Sequence, residues 1–191
     1  MRIIGGIHRG LRLAEVGKGD AAAHLRPTPD RVRESLFNIL MGQGLIDGVA
    51  VLDLFAGTGA LGLEALSRGA SHVTFVETGR AGQRLIRDNL ARAQREQDAT
   101  LLTSDARRLP SVRGAPAGLV FLDPPYGKAL GAPAIASALD QGWVAQNALI
   151  VWEEAAPQDP VPGTRLFDRR RYGDTHLTLL EFDGSGGVSL W

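Results

Sequence analysis

The sequence predicts an α/β fold in which a mostly parallel seven-stranded sheet ends in an antiparallel C-terminal hairpin. Short apolar segments alternate with helical patterns between residues 49 and 153, which is typical of parallel strands joined by helical crossovers. Two final segments, 164–171 and 175–182, are separated by a short turn, Tyr172-Gly173-Asp174. They predict the closing hairpin.

The elements before the sheet are predicted to be a hairpin, a loop and a helix. Residues 2–4 and 10–14 are short apolar and basic segments around glycines, as in a β-hairpin. Residues 15–25 are polar and alanine-rich, and we expect a mobile loop there. The helix is predicted to begin after Thr28, a good N-cap, with Pro29 at its first position.

This helix is predicted to have two distinct faces. Its apolar stripe consists of Val32, Leu36, Ile39 and Leu40. Arg31, Glu34 and Asn38 share another face, because residues three or four apart are neighbours on a helix. The polar face could be solvated, or it could close over a ligand site and touch a substrate. The sequence leaves both interpretations open.

Strands and helices then alternate through the rest of the chain. The predicted order is strand 49–55, helix 60–68, strand 72–77, helix 80–96, strand 99–103, strand 117–122, helix 131–141 and strand 148–153. Together with the hairpin, these elements are expected to form one domain over residues 45–183. We expect a hairpin and helix extension at 1–44 and a flexible tail at 184–191.

Composition indicates a neutral, soluble protein. The chain has 191 residues, with 21 Lys and Arg against 21 Asp and Glu, so a general coating of nucleic acid is not expected. It has no cysteine, and its four histidines are scattered, which argues against a metal site. No apolar run is long enough to span a membrane. We expect a cytoplasmic monomer without metal or membrane partners.

The stretch from Val51 to Gly62 predicts a strand that turns sharply into a helix. Gly57, Gly59 and Gly62 have the spacing G-x-G-x-x-G, which follows the first strand of nucleotide-cofactor folds. Glycines allow a ligand to come close to the backbone, and the N–H groups at a helix start favour negative charge. The stretch therefore predicts a cofactor site.

Two classes of cofactor fit this spacing. A dinucleotide needs an acid about 20 residues beyond the glycines, and Glu77 has that position. Asp53, however, lies in the strand just before the glycines. There it would repel a pyrophosphate but suit the ammonium group of S-adenosylmethionine. Asp53 thus favours S-adenosylmethionine over a nicotinamide dinucleotide.

Four successive predicted strands end in an acid: Asp53, Glu77, Asp105 and Asp123. Ligands of open α/β sheets bind beyond the carboxyl ends of the strands, so these acids would ring one crevice. Asp53 would face the methionine end of the cofactor, Glu77 the ribose hydroxyls, and Asp105 the adenine amino group. The predicted cofactor-binding residues are Asp53, Phe55, Gly57, Thr58, Gly59, Glu77, Asp105 and Ala106.

The run Asp123-Pro124-Pro125-Tyr126 predicts a rigid site for a flat, amino-bearing base. The prolines fix φ and remove two N–H donors, so the loop is stiff. The Asp123 carboxylate and the Pro124 carbonyl offer two acceptors, and Tyr126 offers an aromatic face. Accepting both N–H bonds of an exocyclic amine favours a pyramidal nitrogen whose lone pair can attack a methyl group. We take these four residues as the catalytic candidates.

Three further stretches are characteristic together with Asp123–Tyr126: Leu25–Leu40 with RPT…R…FN, Leu52–Gly69 with LDLFAGTGALGLEALSRG, and Tyr172-Gly173. With these stretches the chain resembles, from Arg2 to about Phe182, the bacterial RsmD family of 16S rRNA guanine-N2 methyltransferases. The resemblance implies a Rossmann-like S-adenosylmethionine-dependent methyltransferase fold. It also implies that the substrate is rRNA within an assembled small ribosomal subunit.

The resemblance further implies a division of roles among the candidate residues. The cofactor would be bound by Asp53, Gly57, Gly59, Glu77 and Asp105, and the guanine would be held by Asp123, Pro124 and Tyr126. Candidates for RNA contact are Arg9, Arg26, Arg31, Asn38, Arg169, Arg170 and Arg171.

Other functions remain open at this point. An adenine-N6 methyltransferase acting on DNA or RNA would share the motif at Asp123–Tyr126. A non-catalytic rRNA-binding assembly factor could keep the fold, although the intact acceptors argue against it. An NAD-dependent oxidoreductase would leave Asp123–Tyr126 unexplained.

Overall fold

The computed structural model describes residues 1–15 and 29–184. The strands are β1 (Ala50–Leu54), β2 (His72–Val76), β3 (Ala99–Leu102), β4 (Ala117–Leu122), β5 (Val144–Glu154), β6 (Thr164–Tyr172) and β7 (Thr175–Phe182). The helices are α1 (Asp30–Gly42), α2 (Ala60–Ser67), α3 (Arg80–Ala93) and α4 (Gly131–Asp140). The predicted sequence of alternating strands and helices is therefore confirmed.

The strands form one sheet in the order β3-β2-β1-β4-β5-β7-β6. The first five strands are parallel, and β7 is antiparallel to both of its neighbours, β5 and β6. This confirms the mostly parallel sheet with an antiparallel C-terminal hairpin. Because β1 pairs with both β2 and β4, the chain reverses its direction across the sheet at β1. Folds of this kind bind ligands in a crevice beyond the carboxyl ends of the strands at this point, which here are β1 and β4.

Each face of the sheet packs against helices. One apolar cluster contains side chains of α1, α2 and α3 together with the strand residues on that face, such as Phe75 and Phe121. A second cluster on the opposite face contains side chains of α4 with Leu122 and Trp152. The parallel strands are thus buried on both sides, which accounts for their continuous apolar runs.

Helix α1 packs across the sheet through a stripe that differs from the predicted one. Val32, Leu36 and Leu40 are buried as expected, whereas Ile39 is partly exposed. Phe37 is buried instead, with its ring centroid 5.5 Å from that of Phe121.

The start of α1 also differs from the prediction. Pro29, expected at the first helical position, precedes the helix, and its carbonyl accepts the N–H groups of Val32 and Arg33. Arg33 is fully buried, and its Nη2 donates to Asp30 (2.6 Å) and to the Arg2 carbonyl (2.8 Å). The predicted N-cap Thr28 and most of the expected loop at 15–25 lie outside the described residues.

The N-terminal extension docks on α2. Arg2 and Arg12 form a single antiparallel bridge, so the predicted hairpin is shorter than expected. The fully buried Glu64 carboxylate accepts the backbone N–H groups of Ile4 (2.7 Å) and Gly5 (2.8 Å). Since a side chain binds these two amides, they do not pair with another strand.

Two further boundaries differ from the predictions for local reasons. Helix α3 ends at Ala93 rather than near residue 96, because Gln94 adopts a left-handed conformation with φ of 54°. Strand β5 begins at Val144 rather than at residue 148. Its first part is separated from the rest by an irregular pairing with β4 and by a positive φ at Asn147.

Candidate active site

The glycine-rich turn lies between β1 and α2, as its sequence predicts. Gly59 has φ of 77°, a conformation that side-chain-bearing residues rarely adopt, and it directly precedes the first residue of α2. Gly62 lies where α2 crosses β2, and a Cβ there would come within 2.4 Å of the Phe75 ring. The turn therefore requires glycine at one position for its backbone and at another for helix packing.

Asp53 lies near the end of β1 and is 2% exposed. Its Oδ2 accepts the N–H of Gly62 in the first turn of α2 at 3.0 Å. Burial raises the pKa of Asp53 from 3.8 to about 7; the bond from Gly62 opposes this rise, and the nearby Glu77 adds to it. Asp53 is thus a carboxyl group that gains from a positively charged partner.

Glu77 directly follows β2 and braces the glycine-rich turn. Its Oε2 accepts the N–H of Gly57 at 2.8 Å, and its Oε1 accepts the N–H of Gly79 at 2.6 Å. A Cβ on Gly82 would come within 2.8 Å of Glu77 Cγ, so α3 approaches this side chain closely. Glu77 fixes the turn and retains acceptor capacity for further donors.

Asp105 lies in the segment after β3 and is engaged by a neighbouring arginine. Its carboxylate accepts the backbone N–H of Arg107 at 2.9 Å and the guanidinium of Arg107 at 2.6 Å. These hydrogen bonds lower the pKa of Asp105. The adjacent Ala106 is buried. A ligand at Asp105 would therefore share the carboxylate with Arg107 or displace it.

The run Asp123–Tyr126 directly follows β4, next to the turn after β1. The N–H of Asp123 donates to the Leu54 carbonyl at 3.4 Å, so the two segments are in contact. Pro124 is buried and Pro125 is exposed. Of the four predicted acids, Asp53 and Asp123 lie at the ends of the central strands β1 and β4, and Glu77 and Asp105 follow β2 and β3 toward the edge of the sheet.

The sequence analysis missed two acids at this crevice. Glu153 and Glu154 end β5 and are 5% and 7% exposed. The Tyr126 hydroxyl donates to Glu153 Oε1 at 2.8 Å, and the N–H of Gly127 donates to Glu154 Oε1 at 3.3 Å. The sequence feature that could have identified them is a pair of glutamates at the end of a predicted apolar strand.

These acids make the crevice electrostatically negative. Burial raises the pKa of Asp123 well above its ordinary value, and the nearby carboxylates of Glu153, Asp53 and Glu154 raise it further. Burial and Glu153 also raise the pKa of the Tyr126 phenol. Such a crevice stabilises a cationic ligand and repels a pyrophosphate.

Asn89 is a second residue that the sequence analysis did not single out. It lies on α3 and is fully buried. Its Nδ2 donates to the Thr58 carbonyl in the glycine-rich turn at 3.0 Å, and its Oδ1 accepts the N–H of Ala14 at 2.6 Å. Asn89 therefore ties the N-terminal extension to the turn. Phe55, another predicted cofactor contact, directly follows β1 and has φ of 58°.

The candidates for RNA contact are dispersed over the surface. The exposed ones are Arg9, Arg31, Asn38, Arg169, Arg170 and Arg171, whereas Arg26 lies outside the described residues. Arg169 forms an ion pair with Asp159 at 3.0 Å, and Arg170 forms one with Asp168 at 2.7 Å. The charge of this run is thus partly compensated by neighbouring acids.

Helix α1 reaches the hairpin near the crevice. The Ser35 Oγ and the Tyr172 hydroxyl lie 2.6 Å apart. Tyr172 is the register partner of Thr175, whose side chain hydrogen-bonds to the Tyr126 phenol. The contact of Ser35 with Tyr172 thus joins α1 to the hairpin whose other strand, β7, contacts Tyr126.

Within residues 1–15 and 29–184, no helix is long and apolar enough to cross a membrane. In the same part of the chain, no group of three or more histidine or carboxylate side chains is arranged to hold a metal ion.

Comparisons with known proteins agree on one family. The model of a family described as conserved hypothetical protein 95 matches residues 1–181. Ribosomal RNA small subunit methyltransferase D of Escherichia coli K12 is 42% identical over 153 residues, which are 80% of this chain and 74% of that protein. The putative rRNA methyltransferase YlbH of Bacillus subtilis is 33% identical over 194 residues, covering 100% of this chain and 98% of that protein.

A solved structure shows the same architecture. The putative methyltransferase yhhF of Escherichia coli superposes with a TM-score of 0.82 at 38% identity, covering 96% of this chain and 98% of that one. A putative RNA methyltransferase of Pyrococcus horikoshii, at 18% identity and a TM-score of 0.67, shows the fold alone; it covers 90% of this chain and 94% of that one.

Proposed function

Because this chain belongs to the RsmD family of methyltransferases, we propose that it transfers a methyl group from S-adenosylmethionine to the exocyclic N2 amine of a guanine in 16S rRNA. The relatives from Escherichia coli and Haemophilus influenzae, named as small-subunit rRNA methyltransferases, support the RNA class. The proposal depends on one observation above all: the Asp123–Tyr126 run contacts the end of β1, the strand that leads into the glycine-rich turn. A base-holding loop and a cofactor turn on adjacent strands are what methyl transfer to a base requires.

The residues present fit S-adenosylmethionine better than a dinucleotide. Asp53, Glu153 and Glu154 lie near Asp123 and raise its pKa, so a ligand carrying positive charge is favoured there. The phosphates of a dinucleotide would meet the same carboxylates unfavourably. When bound, S-adenosylmethionine supplies an electrophilic methyl group on a positively charged sulfur.

The cofactor contacts follow from the order of the strands. Asp53 would bind the ammonium group, with the backbone of Gly57, Thr58 and Gly59 beside it. Glu77 would accept hydrogen bonds from the ribose while still holding the turn. The adenine would lie beyond them, near Asp105 and Ala106, because β3 is the neighbour of β2.

The target amine would be oriented by two acceptors in a rigid loop. The Asp123 carboxylate and the Pro124 carbonyl each accept one N–H, so the nitrogen lone pair points away from the loop. The Tyr126 ring stacks on the base, and Pro125 stiffens the segment. The contribution of these residues is orientation and electrostatics, which require a base that is unstacked from its neighbours.

Recognition of the rRNA would use a few local contacts rather than the whole surface. The net charge of the chain is zero, so a general attraction to polyanions is absent. Arg9, Arg31, Asn38 and Arg171 are exposed and are candidates for such contacts. We infer that the shape of an assembled small subunit contributes much of the specificity.

The proposal is tested with radiolabelled S-adenosylmethionine and three substrates: small subunits that lack the modification, naked 16S rRNA and DNA. The product is digested to nucleosides and identified. We expect label in N2-methylguanosine from the small subunits. Label in N6-methyladenine would refute the guanine assignment while retaining the chemistry of Asp123–Tyr126. Cofactor binding without label in any substrate would refute the enzymatic proposal.

A further inference from the structure

The hydroxyl group of Tyr126 is bound inside the protein. It donates to Glu153 Oε1 at 2.8 Å, and the Thr175 side chain makes a second hydrogen bond to it. A phenol has one proton to donate, and its oxygen accepts. Glu153 therefore accepts the one hydrogen bond that this phenol can donate, and Thr175 donates a hydrogen bond to the phenol oxygen. The ring, rather than the hydroxyl, is left as the part of Tyr126 that a base can contact.

Glu153 belongs to the sheet rather than to a loop. It is 5% exposed and is the register partner of Leu177 on β7. It follows Trp152, the register partner of Leu122, and Asp123 follows Leu122. Glu153 is thus level with the first residue of the motif, on the neighbouring strand. Side chains held on strands position their partners more accurately than those on loops.

A carboxylate at this position is unfavourable for the protein on its own. Burial disfavours the charge, and Glu153 is one of the groups that raise the pKa of Asp123. An apolar side chain would avoid both penalties. The bond from the Tyr126 hydroxyl offsets part of these penalties, because hydrogen bonds to ionised acceptors are roughly twice as strong as neutral ones.

We propose that Glu153 is a positioning residue for the methyl transfer: by accepting the Tyr126 hydroxyl, it fixes the ring in the orientation that stacks on the target base. This inference rests on the proposed function. Thr175 on β7 makes the second hydrogen bond to this hydroxyl. The hydroxyl of Tyr126 is therefore held by β5 and β7.

The kinetic test compares Glu153→Ala, Glu153→Gln and Tyr126→Phe on the substrate that the wild-type enzyme methylates. We expect Glu153→Ala to lower kcat by about 10- to 100-fold, as misplacement of a reacting partner does, while the cofactor Kd changes less than about twofold. Glu153→Gln keeps an acceptor and should restore most of kcat. Glu153→Ala combined with Tyr126→Phe should be no worse than either single variant, because both remove the same bond.

A spectroscopic readout tests the anchor independently of activity. The chain has two tyrosines, so a protein labelled with 13C at tyrosine Cζ gives two NMR signals, and Tyr172→Phe assigns them. We expect the Tyr126 signal to move in Glu153→Ala. We also expect its phenol to ionise at a lower pH in Glu153→Gln. The matched control is Glu154→Gln, which removes a neighbouring buried charge and should leave the Tyr126 Cζ signal in place at neutral pH.

The outcomes separate this inference from the proposed function. A wild-type enzyme that methylates no substrate refutes the function, whereas the NMR comparison still decides whether Glu153 holds Tyr126. An active wild-type enzyme whose Glu153→Ala variant keeps full kcat refutes the positioning role. If Glu153→Ala does not fold, Tyr126→Phe provides the test. A Tyr126→Phe variant with wild-type kcat also refutes the positioning role of Glu153.

Discussion

Replacement of the buried Asp53 by asparagine is expected to stabilise the protein and to weaken cofactor binding. The amide has nearly the same shape as the carboxyl group and can still accept the N–H of Gly62. It removes, however, a carboxyl whose ionisation is opposed by burial. The change therefore separates the electrostatic cost of Asp53 from its packing.

The magnitude follows from the pKa of Asp53 in the folded protein. Because that pKa is raised from 3.8 to about 7, the folded state holds a proton that the unfolded state loses between these pH values. Stability of the wild type thus falls as the pH rises through this range. Through this effect, the free energy of unfolding of Asp53→Asn should exceed that of the wild type by roughly 4 kcal/mol at pH 8. At pH 5 the difference should be less than half of that.

The assay is equilibrium urea unfolding of both proteins, without cofactor, at pH 5 and pH 8. Asp140→Asn is the matched control, since Asp140 is exposed at the end of α4 and its replacement should change stability by less than about 0.5 kcal/mol. Calorimetry should show about 10- to 100-fold weaker cofactor binding for Asp53→Asn, the loss of one charge-assisted bond. If the free energies of unfolding of Asp53→Asn and wild type differed by the same amount at pH 5 and pH 8, the raised pKa of Asp53 would be refuted.

Three other substitutions test the site and its packing. Asp123→Ala should lower kcat by about 10²- to 10³-fold with little change in the cofactor Kd by calorimetry, because its hydrogen bonds act mainly in the transition state; a change confined to the Kd would contradict this role. Glu77→Ala should weaken cofactor binding by about 10- to 100-fold, and an unchanged Kd by calorimetry would remove Glu77 from the site. Gly131→Ala should destabilise the protein by about 1–3 kcal/mol in urea unfolding, because the added Cβ would lie 2.2 Å from the indole of Trp152. Wild-type stability in that variant would show that the indole can move aside.

The parts of the fold that the sequence predicted well depend on short-range patterns. The turn from β1 into α2 combines an apolar strand, closely spaced glycines and a helical repeat within about 20 residues. The placement of Asp53, Glu77, Asp105 and Asp123 along one edge then follows from parallel strands alone. Neither conclusion requires knowledge of which distant side chains meet.

The features that were missed depend on long-range contacts. Glu153 appears in the sequence as the polar end of a strand, and its partner Tyr126 is 27 residues away. Arg33 appears as a surface residue of a helix, but its guanidinium is buried against a carbonyl 31 residues away. Charged side chains are mostly exposed, and only the tertiary structure shows the distant partners that these two residues meet.

The docking of the N-terminal extension on Glu64 also constrains how the chain folds during synthesis. The amides of Ile4 and Gly5 are made 60 and 59 residues before the carboxylate that binds them. At translation rates of roughly 5–20 residues per second, they wait about 3–12 seconds for that partner. The extension therefore cannot reach this native contact until α2 has left the ribosome, whereas strands β2 to β7 are all synthesised after Glu64.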